Sequence, residues 1–221
     1  RRRDSRKDSM TDTPHITDSH CHLDFESLQE DLPAVIARAA DAGVTRMVTI
    51  CTRLKNEPSV RAIAEAHDPV FYAAGTHPMS AAEEPLTSVD ELLSLTQHPK
   101  MVGIGETGLD YHYTAESAEV QKTSLRIHIA AARESGLPLI IHARDADDDM
   151  ARILREEHAQ GAYSCVMHCF SSSAELARAA LDLGFYLSMS GITAFPKSRD
   201  LRDIFSQAPL DRILVETDAP Y

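Results

Sequence analysis

Tryptophan is absent from the 221-residue sequence, aromatic residues make up only 5%, and the four cysteines, Cys21, Cys51, Cys165 and Cys169, contain no C-x-x-C pair. So few and so scattered cysteines exclude a disulfide scaffold, a zinc knuckle and a dithiol redox centre, and reduced, buried thiols are expected. No apolar run approaches the roughly 18–20 residues a bilayer span needs, and the opening stretch RRRDSRKDSMTDTPH has no apolar segment of the signal-peptide kind. Neither a membrane span nor a secretory signal is read, and a cytoplasmic location is expected. Positive charge is also scarce: 22 Lys+Arg face 34 Asp+Glu, a formal net charge of −12. A sequence-independent nucleic-acid coat requires a basic surface, so that class is excluded. An enzyme that grips one or two phosphates through bound cations is not.

What the chain does have is 43% hydrophobic and 25% charged residues, enough for a self-supporting core, and 11 histidines. Residues 1–14 are polar and without apolar periodicity, and read as a disordered tail. Residues 15–221 read as one domain. In it, short β-rich runs (Ile16–Ser19, Thr45–Cys51, Val70–Ala74, Met101–Ile104, Pro138–His142, Ser164–His168, Phe185–Met189 and Arg212–Glu216) alternate with helical stretches such as Leu28–Ala42 and Glu116–Ser135. Glycines Gly43, Gly136 and Gly184 close several of the helices. Such βα repetition implies parallel pairing, in a closed eight-stranded α/β barrel or a doubly wound open sheet.

The polar residues favour the barrel. His20 and His22, His77, Glu106, His142, His168 and Asp218 each fall at or just beyond the C-terminal end of a different predicted strand, and in a barrel those ends converge on one face. On an extended chain His20 and His22 point the same way, so both imidazoles can reach one cation. Gly103, Gly105 and Gly108 match G-x-G-x-x-G, but no helix opens there and the segment is the fourth strand, so a dinucleotide site is rejected. The glycines instead let the strand approach something closely, with Glu106 as the working group. Four histidines and two carboxylates exceed the needs of a single tetrahedral ion and suit two, bridged by a carboxylate such as Glu106. Residue type leaves magnesium, manganese and zinc open.

The matching stretches are DSHCHLD (Asp18–Asp24), GTHP (Gly75–Pro78), GIGETGLDY (Gly103–Tyr111), IHARD (Ile141–Asp145), HCFS (His168–Ser171), GFYLSMSGI (Gly184–Ile192) and ETDAPY (Glu216–Tyr221). In these the chain resembles the TatD-type metal-dependent hydrolases, within the amidohydrolase-like group of barrels. The resemblance implies a TIM-like barrel that hydrolyses DNA phosphodiester bonds from the 3′ end with two divalent metal ions. By matching positions, His20, His22, Glu106 and Asp218 would hold one ion, and Glu106, His142 and His168 the other. Asp218 would be the general base and Glu106 the shared catalytic carboxylate. His77 and Arg144 would contact substrate phosphate, Arg144 having a surface salt bridge as its competing role. Family members continue past the ETDxPY motif with the last barrel helix, so a barrel without that helix is expected. Ser172 stands where the family often has glycine.

Two other readings are open. A C–N or ester hydrolase of the same superfamily could use the same metal cage, although a carbamylated lysine ligand has no candidate, because Lys100 lies at the wrong end of the fourth strand. A non-catalytic barrel serving as a binding scaffold would be favoured by loss of a ligand, and all six are present. No membrane or stable protein partner is expected; DNA is expected as substrate.

Overall fold

Each short aliphatic or β-branched run becomes a strand of one parallel sheet. In the computed structural model, which describes residues 15–221, these are β1 (Ile16–Cys21), β2 (Val44–Cys51), β3 (Val70–Ala74), β4 (Met101–Asp110), β5 (Leu139–Arg144), β6 (Cys165–Met167), β7 (Tyr186–Met189) and β8 (Ile213–Val215). They pair in sequence order, every ladder parallel. The helices are α1 (Glu26–Gln29), α2 (Leu32–Asp41), α3 (Glu57–Ala66), α4 (Val89–Leu95), α5 (Ala118–Ser135), α6 (Asp147–Gln160), α7 (Ala174–Asp182) and α8 (Arg199–Gln207). The polar tail expected over residues 1–14 lies outside the described residues. No described helix is long and apolar enough to cross a membrane.

Local chemistry sets the helix ends. Ser88 and Glu91 form a reciprocal capping box at the start of α4, and Gly136, at φ 74°, takes the left-handed cap position that ends α5. The helix expected over Leu28–Ala42 divides into α1 and α2. Pro33 sits in the first turn of α2, where its missing N–H costs nothing, so a new helix starts there. Helix α5 begins at Ala118, after a 3₁₀ turn at Ala115–Ser117, two residues later than expected.

Alternation along the strands divides the core. Met47, Cys51, Tyr72, Ala74, Leu139 and Ile141 pack with helix residues such as Val60, Leu125 and Ile153 outside the barrel. The intervening Ile50, Ala73 and Ile140 form a separate small cluster. Since neighbouring side chains on a strand face opposite ways, this second cluster fills the barrel interior. His142 shares the parity of Ile140, and His168 lies opposite in sense to Met167, so both rings point inward above it.

The barrel is nearly closed, and β1 and β8 meet without a continuous ladder. Asp218 N–H donates to His20 O (2.9 Å) and His22 N–H to Ala219 O (2.8 Å). The Asp18 carboxylate accepts from Thr217 N–H (2.9 Å), Thr217 Oγ1–H (2.6 Å) and His20 N–H (3.2 Å). Among the described residues no helix follows β8.

Candidate metal centre

His20 stands next to the end of β1 and His22 just beyond it. His20 and His22 are both buried, and their Nε2 atoms stand 3.3 Å apart. Asp218, in the turn after β8 at φ 58°, brings Oδ1 to 3.6 Å from His20 Nε2 and 3.4 Å from His22 Nε2. That left-handed backbone is uncommon for a residue with a side chain, and such strain concentrates at functional positions.

Glu106 enters from β4. The strand, expected to end at Ile104, runs to Asp110, so Glu106 lies within it rather than beyond it. Gly105 and Gly108 have φ of 136° and 145°, and a Cβ at either would strike the β5 backbone, at Ile140 O or His142 O. The close approach that the glycines permit is therefore to the neighbouring strand. The two oxygens of Glu106 serve different sides. Oε2 is 3.4 Å from His20 Nε2, whereas Oε1 is 2.8 Å from His168 Nε2, 3.3 Å from His142 Nδ1 and 3.4 Å from His77 Nε2.

Electrostatics bind this cluster together. Burial would raise the Glu106 carboxyl, but His168, His77 and His142 outweigh it and hold the group well below the usual carboxylate range. Burial opposes charge on His168 too, yet Glu106 and Glu216 overcome it and lift the ring well above an ordinary histidine. His20 goes the other way, lowered by burial and by the nearby His168. Asp218, where burial is again outweighed, chiefly by His22, is lowered and stays ionised near neutrality.

The donor set fits divalent cations. Ligand atoms about 2.0–2.1 Å from a tetrahedral ion lie about 3.4 Å from one another. His20 Nε2 stands 3.3–3.6 Å from His22 Nε2, Glu106 Oε2 and Asp218 Oδ1, and His22 Nε2 stands 3.4 Å from Asp218 Oδ1. Asp218 Oδ1 is buried without a hydrogen-bond partner and faces both Nε2 atoms. Three overlapping groups, His20/His22/Glu106, His20/His168/Asp218 and His77/Glu106/His142, have ligand atoms close enough to share an ion.

The two expected phosphate contacts fall at the edge of this centre. His77 joins the Glu106 side of the cluster, and its Nδ1 accepts from Met79 N–H (3.2 Å). Arg144 makes no ion pair among the described residues, so the competing surface salt bridge is not found. Its guanidinium lies over the Tyr113 ring, 4.9 Å from the centroid, on the rim of a cleft of about 980 Å³ that runs from His142, His168 and Asp218 toward Ser171 and Ser173. Cys21, Cys51 and Cys165 are buried free thiols, whereas Cys169 is partly exposed on this cleft, contrary to expectation, because it sits at φ 39° in the turn after β6.

Sequence reasoning assigns no role to Asp110, Glu216 or Asp18. Asp110 Oδ2 accepts from His142 Nε2–H (2.9 Å) and Glu216 Oε1 lies 3.4 Å from His168 Nδ1. The signal for Asp110 is its offset of four from Glu106, which on a longer strand returns a side chain to the same face.

An eight-stranded parallel barrel with a buried His/carboxylate cluster at its C-terminal face is the framework of a metal-dependent hydrolase. The chain matches the family described as TatD related DNase over residues 17–221 and belongs to the TatD family. It is 42% identical over 209 residues to YcfH of Escherichia coli, and 38% identical over 206 residues to YabD of Bacillus subtilis, both called uncharacterized metal-dependent hydrolases. These alignments cover 93% of this chain and 78% and 80% of the relatives. The crystal structure of YjjV, a TatD homologue from Escherichia coli, superposes with a TM-score of 0.85 at 32% identity, over 93% of this chain and 79% of that one.

Proposed function

We propose that this metal-dependent hydrolase cleaves phosphodiester bonds of DNA, releasing nucleotides from the 3′ end, at a site for two divalent cations. The observation that carries this is the division of Glu106 between two ligand sets, Oε2 toward His20 and Oε1 toward His142 and His168. Glu106 is the shared ligand; His20, His22 and Asp218 complete one site, and His142 and His168 the other. Two such cations clamp the oxygens of a phosphoryl group and lower the pKa of water at the site.

The chain's own residues supply the rest. Asp218, held ionised chiefly by His22 against its burial, takes the proton of the water that attacks phosphorus. His77 is suited to the phosphate rather than to a cation. Its Nδ1 already accepts an amide hydrogen, so the neutral ring carries its proton on Nε2, where it donates to a phosphate oxygen. Arg144, with no carboxylate partner among the described residues, reaches the same cleft as a second phosphate contact. The bound cations and the Arg144 guanidinium would provide the positive charge that a net −12 chain lacks.

The family's description as DNase-related and the glutamate on the fourth strand support the phosphodiester reading over C–N or carboxylic ester hydrolysis. The test is incubation with magnesium, manganese or zinc in turn, using end-labelled single-stranded DNA, RNA and a panel of simple esters. Metal-dependent laddering of DNA from the 3′ end is expected; cleavage confined to the esters would overturn the reading.

A further inference from the structure

We propose that Asp110 is a positioning residue that fixes the tautomer and orientation of His142, and that it ties this ligand to the loop at the cleft rim. The proposal rests on the reading of His142 as a ligand of the Glu106 site.

An imidazole offers a cation only the nitrogen that carries no proton. His142 Nδ1 faces Glu106 Oε1 at 3.3 Å, and its Nε2–H donates to Asp110 Oδ2 at 2.9 Å. With its proton held on Nε2, the ring presents the Nδ1 lone pair to the site. A carboxylate behind a ligating histidine orients it and raises its basicity in this way.

Asp110 is built for that task. Its side chain is 1% exposed, its backbone N–H donates to Gln121 Oε1 (2.8 Å), and Gln121 Nε2 donates back to its carbonyl (3.2 Å). Gln121 is itself fully buried on α5. The second carboxylate oxygen, Oδ1, accepts from Tyr113 N–H at 2.8 Å. The Tyr113 ring underlies Arg144. One rigid carboxylate therefore holds a candidate ligand with one oxygen and the cleft-rim loop with the other. Glu216 is not an equal counterpart: Cys169 N–H donates to its Oε1 at 2.6 Å, and the 3.4 Å approach to His168 Nδ1 is not a hydrogen bond.

The test is zinc titration of the metal-stripped full chain by calorimetry, for wild type, Asp110→Asn and Asp110→Ala. Wild type is expected to take zinc in two classes. Asp110→Ala should weaken one class by about 10–100-fold and leave the other within about twofold. Asp110→Asn, whose single amide oxygen cannot serve both His142 and Tyr113, should fall between. General loosening of the fold would weaken both classes together, and that result, or equal affinities in all three proteins, overturns the proposal. Absence of zinc binding to wild type overturns the two-cation reading instead, and the positioning role with it. A measurement that needs no variant is the ¹⁵N spectrum of the histidine rings in zinc-loaded wild type. His142 protonated on Nε2 is expected, and protonation on Nδ1 overturns the assignment.

Discussion

His20 and His168 stack face to face, ring centroids 3.8 Å apart and planes within 10°, although they come from β1 and the turn after β6. Glu106 meets the edge of each through a different oxygen. The two proposed ligand sets thus interlock, and removing the shared charge should empty both. Glu106→Gln keeps the shape and the fold but offers one neutral oxygen in place of two anionic ones. Metal content by elemental analysis should fall for both sites, with at least a hundredfold loss of phosphodiesterase rate, on the order of the loss of a principal electrostatic group. Full metal occupancy in this variant would sink the bridging role.

His77 should behave differently from the ligands. Its hydrogen bond from Met79 N–H leaves Nε2 as a donor, so His77→Ala ought to remove a phosphate contact without releasing metal. The expected outcome is a drop of about 10²-fold in turnover at unchanged metal content. Metal loss matching that of Glu106→Gln would make His77 a ligand.

The six candidate ligands can be picked out in the sequence by their motifs, and two of them also by their place at the end of an apolar run. His142 after Leu139–Ile141 and His168 after Ser164–Met167 need only the rule that parallel strands end on one face. The supporting residues are not legible in the same way. Asp110 is hidden because Gly105 and Gly108 read as the end of β4, whereas they let it continue, packed against the β5 backbone. Glu216 and Asp18 lie inside recognisable motifs, yet their partners, Cys169 and Thr217, are 47 and 199 residues away in sequence. No local pattern encodes contacts of that range. The division of Leu28–Ala42 at Pro33 could have been read, since proline favours the first turn of a helix.

Asp18 carries a further prediction, because it joins β1, which bears His20, to the turn after β8 that carries Asp218. Asp18→Ala would remove the acceptor of three donors at the β1–β8 seam: Thr217 N–H, Thr217 Oγ1–H and His20 N–H. Thr217 is exposed and its two donors can turn to water, whereas the His20 N–H is buried and would be left unpaired at about 1–3 kcal/mol, so a fall in Tm of that order of stability is expected. Asp18→Asn keeps an oxygen for the two amides and should cost much less. Calorimetric unfolding of the two variants side by side checks this, and equal Tm values would show that the seam is held elsewhere.

His128 gives the chain a defined acid sensitivity away from the ligands themselves. Fully buried on α5, it accepts from Thr76 N–H at Nε2 (3.1 Å) and donates from Nδ1 to Ser124 O (2.7 Å), anchoring the β3 turn that carries His77. Burial lowers its pKa from 6.5 to about 4, against the smaller opposing pull of the Ser124 carbonyl. As pH falls below 6.5 the unfolded chain binds a proton that the folded ring refuses, so stability drops through the window from 6.5 to about 4 and then levels off. A shift of that size corresponds to about 3 kcal/mol in all. Chemical denaturation at stepped pH should therefore show a decline that is reduced in His128→Gln. The substitution lowers stability at pH 7, where the native imidazole makes both hydrogen bonds, and narrows the difference as pH approaches 4. An unchanged pH slope in the variant would assign the acid sensitivity to other groups.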